Sequence, residues 1–474
     1  MTAPAGTAST GTILQALGAL ATGAVPHGLR AEMPGRVLDI VGIAVRATTL
    51  DTSRAVMGFA RDTGGSPQAG AIGMTERLPA AEAAFVNGVL GHSLDYDDTH
   101  LPSILHPSAS IVPAVLATAE SAAESTADVP AAIAVGIEVC VRVGMAGFDP
   151  HGRRSLFFDR GQHATSICGT LGAAAASARL RGADAATATH AMAVACSMAG
   201  GILESNRTGG TVKRLHCGWA ARAGVTAADL ACRGLTGAPT ALEGTFGLFA
   251  AFLGDAARFE AVTEGIGDRW HAADVAYKPY PANHFTHAGV DAALALRARG
   301  LRPEDVAAAC LAVAPPTVRT IGEPPEVKRA PESGYAAQFS GPYAVAAALC
   351  GGGGLGLGLD DFSDALVREP RRRELMRRIE VVGDPDLLEI YPYQLPAVLT
   401  VETRSGSRLV EERPVNRGGP QLPLSAGELA AKFADNTDGL LESARRDEIT
   451  ERAGALAIAG DVAGLLGALA DPRS

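Results

Sequence analysis

From Ile13 to about Gly265 the apolar positions recur at helical spacing, and short Gly, Asp or Pro breaks cut the run into segments. This pattern predicts helices over residues 80–90, 107–121, 130–144, 165–180, 185–200 and 218–233. After Trp270 the period changes: residues 308–314, 378–382, 397–403 and 408–413 read as strands, the last two as a hairpin turning at Ser405-Gly406. Helical stretches at 288–299 and 342–350 interleave with them, so the region from about His271 to Arg417 reads as a smaller α+β unit. Residues 424–434 and 462–470 return to helical spacing suited to packing on the first unit. The expected architecture is mainly α: a large all-helical domain made of residues 1–268 and 418–474, with an α+β domain of residues 269–417 inserted, and no internal repeat.

At 474 residues the chain exceeds what one hydrophobic core usually supports and has room for a deep internal cleft. Hydrophobic residues make up 47% but aromatics only 5%, so the apolar mass is mostly Ala, Leu and Val, which favours closely packed helices. The net charge is −10 with no basic stripe interleaved with aromatics, which argues against nucleic acid as a partner. An acidic chain that binds an acidic ligand must concentrate positive charge locally, so a basic pocket is the feature to seek. Met1–Thr12 reads as a disordered leader, not a signal peptide, and no apolar run approaches the roughly 18 residues of a membrane span, so a soluble, cytoplasmic protein is expected. The seven cysteines are widely spaced with no C-x-x-C pair; they read as reduced, mostly buried thiols and offer no familiar spacing for an iron–sulfur cluster.

The eleven histidines carry the most information. His106 precedes Pro107, and His163, His216, His284 and His287 precede predicted helices. A helix start attracts carboxylates and favours a neutral imidazole, although a histidine there often only satisfies local hydrogen bonds. The densest polar group runs from His92 through Asp95, Asp97, Asp98, Thr99 and His100 to His106. For Asp97, Asp98 and His100 a solvated loop with capping or turn roles is the better reading, and the spacing matches no closed zinc or calcium motif. In Gly209–Trp219, Lys213, Arg214 and His216 adjoin a helix start between glycines; surface charges and a carboxylate clamp fit this pair equally well. The G-x-G-x-x-G match within 351–358 follows a helix, not a strand, and reads as a loop; Asn206-Arg207-Thr208 is a sequon without meaning in a cytoplasmic chain.

His92 to His100 with His106-Pro107-Ser108-Ala109, Gly136-Ile137-Glu138-Val139, Lys213 to Ala221, Lys278-Pro279-Tyr280-Pro281 ahead of His284 and His287, and Gln338 to Tyr343 together resemble the MmgE/PrpD family. The resemblance runs through most of the chain. It implies the two-domain architecture above, a homodimer, no metal or organic cofactor, and a small di- or tricarboxylate as substrate. It also implies a pocket with Asp95, His106, His163 and Lys213 as catalytic residues and Thr99, Arg214, His216, Tyr280, His284 and His287 around the substrate; one of the last two histidines faces it. Ala282-Asn283 stands where many relatives carry two cysteines, so that wall differs.

The family's dehydratases, decarboxylases and epimerase all form or protonate a carbanion-like centre beside a carboxylate. Lys213, His106 and Thr99 would hold that carboxylate, and His163 or Asp95 would move the proton. Sequence does not choose among the three reactions; a lyase of the 2-methylcitrate dehydratase type is expected on family frequency, with cis-aconitate decarboxylation or an iminodisuccinate-type epimerisation as alternatives. A non-catalytic carboxylate binder would show a damaged polar cluster, and this one is intact. A metal-dependent hydratase would lose activity to a chelator.

Overall fold

The structure, a computed structural model, describes residues 11–122, 128–205, 210–456 and 461–470. Most of the expected leader and the sequon at 206–208 lie outside these residues.

Five helices, Ala80–His92, Ser108–Ser121, Val129–Met145, Ala164–Leu180 and Leu215–Cys232, pack on one another at the centre of the larger unit. The middle three are buried on nearly every face, as helices that are apolar all round must be. Local signals set their ends: Asp128 caps Val129–Met145, Asp184 caps Ala185–Cys196, and Thr12 with Gln15 forms a capping box on Ile13–Thr22. Small residues set their spacing. A Cβ on Gly88 would come 2.7 Å from the Cα of Gly218, and one on Gly218 would collide with the Phe85 carbonyl. Because both obstacles are backbone, Gly218→Ala is expected to cost ~1–3 kcal/mol, read as a lower denaturant midpoint, and to disturb the helix start that carries Lys213 and His216.

Two sequence expectations need correction here. The helical pattern does not continue to Gly265; after Cys232 it breaks into turns and the short helices Leu248–Phe252 and Glu260–Thr263, because Gly234, Gly237, Pro239, Gly244 and Gly247 interrupt it. The 218–233 helix begins earlier, at Leu215 after a 3-10 turn over Val212–Arg214, so His216 lies inside its first turn instead of before it.

In the smaller unit the strands Ile379–Gly383, Val306–Val313, Ala397–Thr403 and Arg408–Arg413 form one sheet in that order. The first pair is parallel, with Cys310 opposite Glu380; the others are antiparallel, with Leu311 opposite Leu399 and Thr400 opposite Val410. Helices His287–Ala298 and Gly341–Cys350 pack against this sheet. The hydrophobic interior divides in the same way. One core runs from Leu14 to Val275 and takes in Phe433, Ile449 and Leu465 of the C-terminal helices; a second runs from Tyr280 to Val401. The tail is pinned by the buried Lys432, whose Nζ lies 2.6 Å from Asp39 Oδ1 and 3.7 Å over the Tyr96 ring. The fold is thus mainly α with a small sheet region. Among the described residues no helix is long and apolar enough to cross a membrane.

Candidate active site

A cavity of about 710 Å³ is lined by residues of both hydrophobic units. The 93–107 loop contributes Asp95, Thr99 and His106, the start of the 164–180 helix contributes His163, the 3-10 turn contributes Lys213 and Arg214, and the second unit contributes Lys278 and His284. The lining also includes the apolar side chains of Leu101, Ile104, Phe158, Phe285, Phe339 and Leu395.

Asp95 anchors the polar side. Its backbone sits at φ +53°, a left-handed conformation unusual outside glycine and typical of functional turns. Lys213 Nζ reaches Oδ1 at 3.1 Å, while Lys278 Nζ donates to the Asp95 carbonyl at 2.7 Å and to Oδ2 at 3.3 Å. Burial on its own would raise the Asp95 pKa, but the two ammonium groups overcome it and hold the carboxyl well below its usual value. Lys213 responds in the opposite sense: burial would lower it, and Asp95 keeps it raised and charged.

The cavity histidines are neutral. Burial, modulated by Asp97 and Lys278, pushes His106 down to about 4. Burial with His92 and Lys213 puts His163 well below its ordinary value, and burial with His287 and Lys278 does the same for His284. His106 Nδ1–H donates to the Asp98 carbonyl at 2.7 Å, which leaves Nε2 as the free ring nitrogen; Thr99 Oγ1 lies 3.3 Å from Nδ1. His163 Nδ1 and His216 Nδ1 are 2.9 Å apart, so one carries the proton and the other accepts it. Both ring nitrogens of His284 are buried and have no hydrogen-bond partner among the described residues.

Seven of the ten residues expected at the site therefore meet at the cavity: Asp95, Thr99, His106, His163, Lys213, Arg214 and His284. Arg214 faces it while its Nη1 donates to Thr52 Oγ1 at 3.0 Å. The other three stand behind. His216 backs His163. His287 is fully buried, with Nε2 donating to the Ala282 carbonyl at 3.0 Å, so His284 is the histidine of the pair that faces the cavity. Tyr280 does not reach the cavity; its hydroxyl donates to Asp291 at 2.6 Å and accepts from Arg417 at 3.0 Å inside the second core.

The solvated-loop reading of Asp97, Asp98 and His100 is also corrected, since all three are buried. Asp98 does cap a helix, accepting from Ser108 N at 3.1 Å, but it also pairs with buried Arg36 at 3.1 Å. Asp97, held at about 2 by His92 against the opposing effect of burial, accepts from His92 Nδ1–H at 2.7 Å. The His92 ring lies 5.4 Å from His163 and 5.7 Å from His106, centroid to centroid, and so sets the packing of both cavity imidazoles. Asp97→Asn is expected to lower kcat by ~10–100-fold with KM little changed, the scale on which outer partners of metal-ligating imidazoles act; a steady-state comparison across pH checks it.

Sequence reasoning passed over Lys278, His92 and Asp97 as site residues. Lys278 stood in view at the head of Lys278-Pro279-Tyr280-Pro281, but nothing in its spacing tied it to Asp95, 183 positions away.

Comparison with known proteins identifies the family of the chain. Residues 13–260 match the MmgE/PrpD N-terminal domain and residues 280–456 the MmgE/PrpD C-terminal domain. The chain is 30% identical over 415 residues to cis-aconitate decarboxylase of Homo sapiens, covering 85% of this chain and 82% of the human protein. The Mus musculus cis-aconitate decarboxylase is 30% identical over 416 residues with the same coverage. Cis-aconitate decarboxylase of Aspergillus terreus matches at 30% over 239 residues, 48% of either chain. With both domain matches and a polar cluster drawn from both, the chain belongs to the MmgE/PrpD family.

Proposed function

We propose that the protein is a lyase that decarboxylates a small tricarboxylate of the cis-aconitate kind. The observation that carries this reading is the convergence of Lys213 and Lys278 on one buried carboxylate, Asp95, within a ring of neutral histidines. Two ammonium charges against one carboxylate leave a net positive charge at the cavity wall, and Arg214 adds to it. That is the local basic pocket an acidic protein needs for an acidic ligand. The matched relatives, which are cis-aconitate decarboxylases, favour decarboxylation over the dehydration expected on family frequency.

In this mechanism the bond to one carboxylate breaks and CO2 leaves into the cavity, whose lining includes apolar side chains. The electron pair shifts through the neighbouring double bond to the carbon beside a second carboxylate, which Lys213, Thr99 and His106 hold. Fixed charges of this kind act strongly in a site shielded from water. A proton then reaches that carbon. With His216 Nδ1–H donating to His163 Nδ1, His163 presents Nε2–H to the cavity and donates that proton, which it recovers from solvent before the next turnover; Asp95 keeps Lys213 charged and places both lysines.

The proposed domain division is 1–268 with 418–474 against 269–417; the first core reaches past that boundary to Val275, the second spans 280–401, and the cavity is lined from both. Cofactor independence, a homodimer and a cytoplasmic location complete the proposal. Incubation of the purified protein with cis-aconitate, 2-methylcitrate, citrate and iminodisuccinate, followed by NMR, tests it. Consumption of cis-aconitate is expected; turnover of 2-methylcitrate alone would replace decarboxylation with dehydration.

A further inference from the structure

We propose that His100, His271 and Asp274 form a binding site for a divalent transition-metal ion of the zinc class, outside the cavity and on the reverse side of the segment that carries Thr99. One ring nitrogen of each histidine and one oxygen of Asp274 lie within 4.8 Å of one another, and none of the three residues lines the cavity.

The backbone explains how they meet. Thr99 pairs with Ala276 in an antiparallel bridge, and Thr99 faces the cavity. In extended chain the next side chain points the other way, which sends His100 to the back, where its amide donates to the Leu105 carbonyl at 2.8 Å. On the facing segment, His271–Asp274 is a 3-10 turn. In that geometry residues three apart eclipse, so the Asp274 carboxylate stands beside the His271 ring, with Oδ2 3.8 Å from Nδ1.

The donor chemistry points to a ligand. His100 Nδ1 is taken up by the buried Ser103 hydroxyl at 2.6 Å; when that hydroxyl accepts from Nδ1–H, the Nε2 lone pair is left for an ion. His100 is 2% exposed and His271 8% exposed, yet neither His100 Nε2 nor the His271 imidazole has a hydrogen-bond partner among the described residues. Neither free nitrogen is sealed from solvent, so an ion can reach both. Two imidazoles and one carboxylate suit zinc, cobalt or copper and not the oxygen-seeking calcium or magnesium.

Zinc–ligand bonds of roughly 2.0–2.2 Å require the three atoms to draw closer than they stand here. Asp274, 41% exposed at its side chain, has the freedom to move. The charges that oppose the ion are Arg269, 3.5 Å from Asp274 Oδ2 and largely exposed, and Arg142, whose charge is met by Glu138 at 2.6 Å. A bound ion would tie the loop bearing Thr99 and His106 to the 271–276 segment.

The test uses the full-length protein, freed of metal with a chelator and titrated with Zn2+ by calorimetry and with Co2+ by visible absorption. One equivalent should bind, with the intense Co2+ bands of a four-coordinate site. Asp274→Asn and His271→Ala should each weaken Zn2+ binding by ~10-fold or more and abolish those bands, whereas Cys232→Ser, which removes the exposed thiol, should leave them intact. Asp274 is exposed enough that its variant tests the site without threatening the fold. Absence of binding by the unmodified protein, or retention of full affinity by Asp274→Asn, would overturn the proposal.

Discussion

Replacing Lys213 by alanine is expected to lower kcat by ~10²–10³-fold, the scale on which loss of one preorganised charge at a reacting centre is felt. The lysine is placed by the 3-10 turn ahead of the 215–232 helix, and its Nζ lies 3.1 Å from Asp95. Its removal does not strand that carboxylate, because Lys278 still donates to the Asp95 carbonyl at 2.7 Å and to Oδ2 at 3.3 Å. The variant should therefore keep its circular dichroism and most of its thermal stability while losing turnover. His163→Ala should behave alike through loss of the proton donor, by ~10²–10⁴-fold. Full activity in both variants would remove this cluster from the chemistry.

Acid is expected to unfold the protein well before its paired carboxylates titrate. Folding lowers His106, His216 and His271 to about 4 and His100 and His287 to about 3, in each case chiefly by burial, against an unfolded value near 6.5. A histidine with a depressed folded pKa takes up its proton mainly in the unfolded state, so its contribution is fully present above pH 6.5 and is lost as pH falls toward the folded value. Each such group costs up to ~1.4 kcal/mol per pH unit inside that window. Asp98, raised to about 6 by burial, binds a proton in the folded state over the same window and offsets one histidine. Asp95 and Asp97, held low, lose their contribution only below about pH 4. Against a total stability of ~5–15 kcal/mol, the remaining histidines are enough to decide the outcome. The urea midpoint should fall steadily from pH 7 to pH 5; a flat midpoint over that range would contradict the burial of these imidazoles.

Much of this was legible in the chain. The strands at 397–403 and 408–413 fall where period-two alternation placed them, and those at 306–313 and 379–383 within a residue or two. Seven of the expected site residues line the cavity: helix starts marked His106, His163, Lys213, Arg214 and His284, and the family resemblance added Asp95 and Thr99. What escaped depended on distant partners. Asp98 looked like a solvated turn residue until Arg36, 62 positions away, supplied its counter-charge. Lys278 acquires its meaning only when the chain folds it onto Asp95, and Tyr280 loses its expected place because Asp291 and Arg417 engage its hydroxyl. Long-range ion pairs leave no periodic trace for a sequence reader to follow.

The proposed function comes down to one chemical step, loss of CO2 from a bound tricarboxylate with protonation of the carbon that receives the electron pair. The most direct measurement is turnover of cis-aconitate in D2O, with CO2 captured and the product followed by proton and carbon NMR. One CO2 and one carbon-bound deuterium per substrate consumed is the predicted result. A product that retains all three carboxylates, or no turnover by a folded protein, would contradict it.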